Sequence, residues 1–75
     1  MTTELSRKVH NLMAREMGSM GKFIIGKQCK DIGLNPDNLS KEDLTKLSKA
    51  IAKVMVHFGG KEKAFKIAEE IRKLE

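Results

Sequence analysis

His10, Cys29 and His57 are the side chains of this 75-residue chain best suited to hold zinc or to form a nucleophile–base pair. Short zinc sites place two ligands within a turn, as Cys-x-x-Cys or His-x-x-x-His. No such spacing occurs here. The three residues fall on three different predicted helices and have bland readings. Cys29 fits an apolar stripe as a small core residue. His57, beside Phe58 at a helix end, suits the negative end of the helix dipole. Met13, Met17 and Met20 read as adaptable packing, since a soft-metal site needs sulfurs closer together. No catalytic, metal or cofactor-binding residue is assigned, and a non-enzyme with no small-molecule substrate is expected.

Two local strings invite ligand readings. From Asp31 to Glu42, Asp31, Asn35, Asp37 and Glu42 take ligand positions of a calcium-binding EF-hand loop. Gly33 supplies no ligand at the third position, and Pro36 stands where the sharp turn needs glycine. Ile32-Gly33-Leu34-Asn35-Pro36, followed by Ser40-x-x-Asp43-Leu44, is similar to the linker between paired EF-hands in calmodulin-like proteins. That likeness reflects shared helix–turn–helix grammar and carries no function. Gly18-Ser19-Met20-Gly21-Lys22 has phosphate-loop character, but Glu16 replaces the first glycine of a Walker A loop and Phe23 replaces its hydroxyl. The same Gly-x-x-Gly resembles the clamp of KH domains, which needs a three-stranded sheet that this chain has no pattern for. An inter-helix turn with both glycines at positive φ is the simpler expectation.

Two surfaces call for more explanation. The first is basic. Fifteen Lys and Arg oppose ten Asp and Glu, for a net charge of +5. Most of the excess lies before residue 31, on Arg7, Lys8, Arg15, Lys22, Lys27 and Lys30. Lys46, Lys49 and Lys53 share one further helix face. Together these are the candidate contacts for a nucleic acid such as DNA, with affinity that falls steeply with salt. Against that stand a solvated lysine face as the simpler account and the absence of Trp and Tyr for stacking on bases. The second surface is apolar. At 100° per residue, Phe23, Val56 and Phe65 lie off the core stripes of their helices. With Ile24 they form a candidate interaction patch, to be covered by another helix of the chain, a second copy or a protein partner.

The elements that position these residues are helical. Leu5, Val9, Leu12, Met13 and Met17 predict a helix over 3–17, capped by Thr2 or Thr3. Ile25, Cys29 and Ile32 line a second over 22–32, with Gly33 as its C′ residue. Leu34 and Leu39 plug the Asn-Pro-Asp connection. Ser40 and Asp43 form a capping box, and Leu39 and Leu44 a hydrophobic staple, for a third helix over 41–58. Its core stripe is Leu44, Leu47, Ile51, Val54, Met55 and Phe58. Gly59-Gly60 predicts a tight turn into a fourth helix over 61–74, with Ala64, Ile67, Ala68, Ile71 and Leu74 inward. Glu42–Lys46, Glu62–Lys66 and Glu69–Lys73 are spaced as i,i+4 ion pairs.

The expectation is thus an all-α, compact four-helix domain, single over 1–75. One cysteine and no signal-peptide or membrane-spanning pattern suggest the cytoplasm. The preferred function is a small interaction module with a protein partner or a homo-oligomer. The alternative is a basic DNA-binding protein.

Overall fold

The computed structural model describes residues 3–74. Three helices follow one another: α1 (Glu4–Met17), α2 (Met20–Asp31) and α3 (Lys41–Arg72). The chain is all-helical, but the four-helix expectation is corrected. Residues expected to form a third and a fourth helix belong to one 32-residue element. The cause is local. Gly59 and Gly60 do not make a two-residue turn; Gly60 alone leaves helical dihedrals, at φ 85° and ψ 170°. That backbone region is open essentially only to glycine. That residue puts a sharp kink in α3 between residues 41–59 and 61–72. A straight helix of this length spans about 48 Å. The longest dimension of the molecule is 32 Å, so the bend turns residues 61–72, the arm of α3, back along the body.

α1 begins at Thr3, whose hydroxyl oxygen accepts the Ser6 N–H at 3.2 Å. Thr2, the other candidate cap, lies outside the described residues. Val9, Leu12 and Met13 are buried, and Leu5 and Met17 pack partly against them. Gly18, at φ 62°, ends the helix with its N–H donating to the Ala14 carbonyl. α2 then starts at Met20, two residues earlier than expected, which places Gly21 inside a helix instead of a turn. Gly21 is needed for closeness rather than for positive φ. A Cβ there would lie 2.6 Å from the Met13 carbonyl oxygen. The backbones of α1 and α2 therefore touch at this point.

Gly33, at φ 75°, closes α2 as its C′ residue, and the Leu34 N–H donates to the Cys29 carbonyl at 2.8 Å. The connection to α3 is tied down along its length. Asn35 Oδ1 accepts the Asp37 N–H at 2.9 Å, an Asx turn. Ser6 Oγ accepts the Leu39 N–H at 2.8 Å, and the Thr3 hydroxyl donates to the Leu39 carbonyl at 3.1 Å. The Thr3 N–H donates to the Asp37 carbonyl at 3.0 Å. Leu39 and Leu44, the staple pair, are both buried. The Ser40 N–H donates to Asp43 Oδ2 at 3.0 Å, which supplies the carboxylate arm of the expected capping box.

The core joins Val9, Leu12 and Met13 of α1, Ile24, Ile25 and Cys29 of α2, and Leu44, Leu47, Ile51 and Met55 of α3 to Ala64, Ile67 and Ile71 of the arm. Two residues assigned inward are not there. Phe58 is 56% exposed, because it sits in the last turn before the bend, at the rim of the body. Ile32 is exposed, because α2 has already ended at Asp31. Polar links tie the arm to α1: Arg15 to Glu70, and Lys66 to Glu16 at 3.8 Å. Of the expected i,i+4 pairs, Glu69–Lys73 forms at 3.2 Å. Lys66 reaches Glu16 instead of Glu62.

Candidate interaction surface on the α2–α3 seam

The apolar patch read from the sequence is not one surface. Ile24 is 5% exposed and belongs to the core. α2 is packed on one side by α1 and on the other by α3, which widens its buried arc enough to include both Ile24 and Ile25. Phe23 is 73% exposed, as its place opposite Ile25 and Cys29 requires. Val56, at 45%, lies about 200° around α3 from Val54 and Phe58. Phe65, at 59%, stands on the arm beyond the bend.

The structure assembles a different set. Phe23, Ile24, Lys27 and Gln28 of α2 and Val54 and Phe58 of α3 line an open groove of about 380 Å³. Gln28 also lines the next depression along the same seam, of about 310 Å³, with Ile32, Lys46, Lys49, Ala50 and Lys53. The two run together as one seam, apolar at the Phe23–Phe58 end and cationic at the Ile32 end. Val54, Phe58, Gln28 and Ile32 were not candidates in the sequence. Phe58 was legible in principle. A large apolar residue directly before Gly-Gly stands in the last turn before a break in helical dihedrals, at the rim of the body.

The candidate basic residues are divided among surfaces. Lys46, Lys49 and Lys53 come together along the seam, and none makes an ion pair among the described residues. Lys27 adjoins them but is held by Asp31 at 3.1 Å. Lys30 is exposed near the end of α2. Lys22 borders a separate groove between α1 and α2, with His10, Asn11 and the outer side of Phe23. Arg7 is exposed on α1. Lys8 pairs with Glu4 at 3.9 Å, and Arg15 is engaged by Glu16 and Glu70. No single phosphate track could use all nine.

The chemistry-bearing side chains stay apart. His10 Nε2 lies 3.2 Å from the Pro36 carbonyl, and His57 is exposed on α3. Cys29 is sealed in the core, and its thiol is pushed up to about 11, chiefly by burial and then by the Asp43 carboxylate. Such a thiol is protonated at neutral pH and is a poor nucleophile. Among the described residues, no three of His, Cys, Asp and Glu lie close enough to share a metal ion. No helix among them is long and apolar enough to cross a membrane. No family model, curated protein or solved structure matches the chain.

Proposed function

We propose that this chain is a non-enzymatic interaction module that takes an acidic, apolar-anchored helical segment of a protein partner into the α2–α3 seam. One observation carries the reading: Phe23, Val54 and Phe58 line an open groove that continues into the row of Lys46, Lys49 and Lys53, none of which makes an ion pair among the described residues. Covering the phenylalanines removes apolar surface from water, at roughly 25 cal/mol per Å² before the cost of association. An amphipathic helix fills such a groove with anchors three and four residues apart, and its carboxylates then fall beside the lysines. A second copy docked in the same way would set lysine against lysine in a chain of net charge +5. A small-molecule substrate is disfavoured by the openness of the seam and its few convergent polar groups. A cytoplasmic setting accords with the single, reduced cysteine.

The test is an amide-shift titration with two probes: a synthetic peptide carrying leucine and glutamate at heptad spacing, and an oligothymidine of equal charge. The peptide is expected to shift amides at 23–28 and 46–58. Phe23→Ser should weaken its binding about tenfold, the usual effect of truncating a central aromatic anchor. Binding of the oligonucleotide alone, with a steep salt dependence, would assign the lysine row to phosphates and overturn the protein-partner reading. Failure of both probes would overturn it as well.

A further inference from the structure

The order of side chains along the α2–α3 seam gives it a direction. Two helical rows flank it. On α2, Ile24, Gln28 and Ile32 follow one another at steps of four along one side. On α3, Lys46, Ala50, Val54 and Phe58 do the same along the other. The two rows run in opposite directions: Ile24 shares its groove with Val54 and Phe58, and Ile32 shares the next depression with Lys46 and Ala50. From Lys46 to Phe58 the α3 row covers about 18 Å, the length of a helix of about a dozen residues. Ala50, the smallest side chain of the row, lies between its ends, where a third helix can approach closely. Charge is confined to one half. Lys46, Lys49 and Lys53 all line the Ile32 end, and none makes an ion pair among the described residues. Lys27, the cation lining the Phe58 end, is held by Asp31 at 3.1 Å. The dipoles of α2 and α3 oppose each other because the helices are antiparallel, so the three lysines set the field at their end.

We infer that the seam takes its helical partner in one direction, antiparallel to α3. The partner's apolar anchors come first in its sequence and lie over Phe23, Val54 and Phe58; its acidic residues come last and lie over Lys46, Lys49 and Lys53. The inference rests on the protein-partner reading of the seam. Apolar burial is non-directional and does not choose between the two seatings. Two electrostatic effects do. A helix carries partial negative charge at its C-terminus, where four carbonyls lack intrahelical partners. Lysine ammonium groups placed there are attracted by the dipole and donate to those carbonyls. The reverse seating sets the same ammonium groups against unpaired N–H groups and the positive end. The second effect lies in the partner. Acidic side chains in the last turn of a helix are repelled by its negative end, and the seam's lysines relieve that repulsion on binding. Acidic side chains in the first turn are already stabilised in the free helix and gain less. The partner class is therefore narrower than an amphipathic helix. It is a helical segment with two apolar residues four apart, followed by carboxylates over the next two turns.

Two peptides of equal composition and reversed order test the direction. Both are acetylated, amidated and stapled to equal helicity; one carries its leucines first and its glutamates last, the other the opposite. In amide-shift titrations at low salt the leucine-first peptide should bind at least fivefold more tightly. That ratio should shrink toward one at high salt. It should also shrink in a chain carrying Lys46→Ala, Lys49→Ala and Lys53→Ala, which keeps Phe23, Val54 and Phe58. A nitroxide at the N-terminus of the leucine-first peptide should broaden the amides of Phe23 and Phe58, and one at its C-terminus those of Lys46 and Ala50. Equal binding of both peptides in the seam, tighter binding of the glutamate-first one, or a reversed nitroxide pattern overturns the direction and leaves the seam a protein-binding surface. A preference unchanged in the triple alanine chain overturns it as well, because the lysines would then not set it. Seam amides that shift with neither peptide overturn the reading of the seam and the direction together.

Discussion

The three joints between helical segments are built in opposite ways. The joint between α1 and α2 is closed by backbone contact, with Gly21 lying against the Met13 carbonyl. The connection from α2 to α3 is closed by hydrogen bonds that run from Asp37 and Leu39 to Thr3 and Ser6. At Gly60 the ties lie away from the joint, in the Arg15–Glu70 and Lys66–Glu16 links of the arm to α1. The joint itself consists of one residue in an unusual conformation, with open space where a side chain would be and exposed Phe58 and Phe65 on either side. The first two joints specify a single geometry. The third rests on the backbone conformation of one glycine.

The largest expected effect breaks the tightest joint. Gly21→Ala forces a methyl group onto a carbonyl of α1, and no flexible side chain can give way. Helix propensity alone favours alanine at an exposed helical position by about 1 kcal/mol. The clash reverses that sign, and overpacking here should cost about 3 kcal/mol in chemical denaturation. A stabilised Gly21→Ala would show that α1 and α2 are not in backbone contact. The same substitution at Gly60 meets no atom, so the pair separates a glycine required for space from one required for torsion.

Next comes the connection. Ser6 is fully buried, and its Oγ accepts the Leu39 N–H at 2.8 Å. Ser6→Ala leaves that N–H without a partner inside the protein, a loss of about 2 kcal/mol. Ser6→Thr keeps the oxygen and should recover part of the loss, less the strain of an added methyl group. Hydrogen exchange sharpens the contrast. The Leu39 amide should exchange only with global unfolding in the parent chain and by local opening in Ser6→Ala. Equal protection in both would remove the clamp from the account.

These joints mark what can be read in a sequence of this kind. The helices, the capping box at Ser40–Asp43, the C′ glycine at position 33 and the inward Cys29 follow from periodicity and local chemistry, which act within a few residues. Ser6 gave no local signal, because its partner is 33 residues away. Gly21 has the same look as a turn glycine, and only the nearness of Met13 sets it apart. Gly59-Gly60 spells a stop signal, yet one glycine at an unusual φ bends a helix as readily as it ends one. The seam was hidden for a related reason. A 100° wheel assumes that one face of each helix is buried, whereas α2 is flanked on two sides and α3 outruns its support at Phe58. Ile24 and Phe58 thus exchanged the roles that the wheel assigned to them.

The smallest effect concerns Cys29, whose carbonyl caps the connection and whose thiol lies in the core behind it. Burial, with a lesser contribution from the Asp43 carboxylate, raises the thiol from 9.0 to about 11 in the folded chain. Between these values the unfolded chain has released the proton and the folded chain still holds it. The unfolded state then binds fewer protons, so stability falls as pH rises through this window. Below the lower value both states are protonated, and the thiol contributes no pH dependence. At pH 10 the loss should be about 1 kcal/mol. Lysines titrate in the same range, so the measurement is a difference: denaturation of the parent chain and of Cys29→Ala from neutral to alkaline pH. The variant carries a constant penalty for its cavity, and the gap between the two should narrow as pH rises. A gap that stays constant would mean that the thiol ionises as freely in the folded chain as in the unfolded one. The core behind the connection would then admit water, and the closed joint would resemble the open one at Gly60 more closely than its hydrogen bonds suggest.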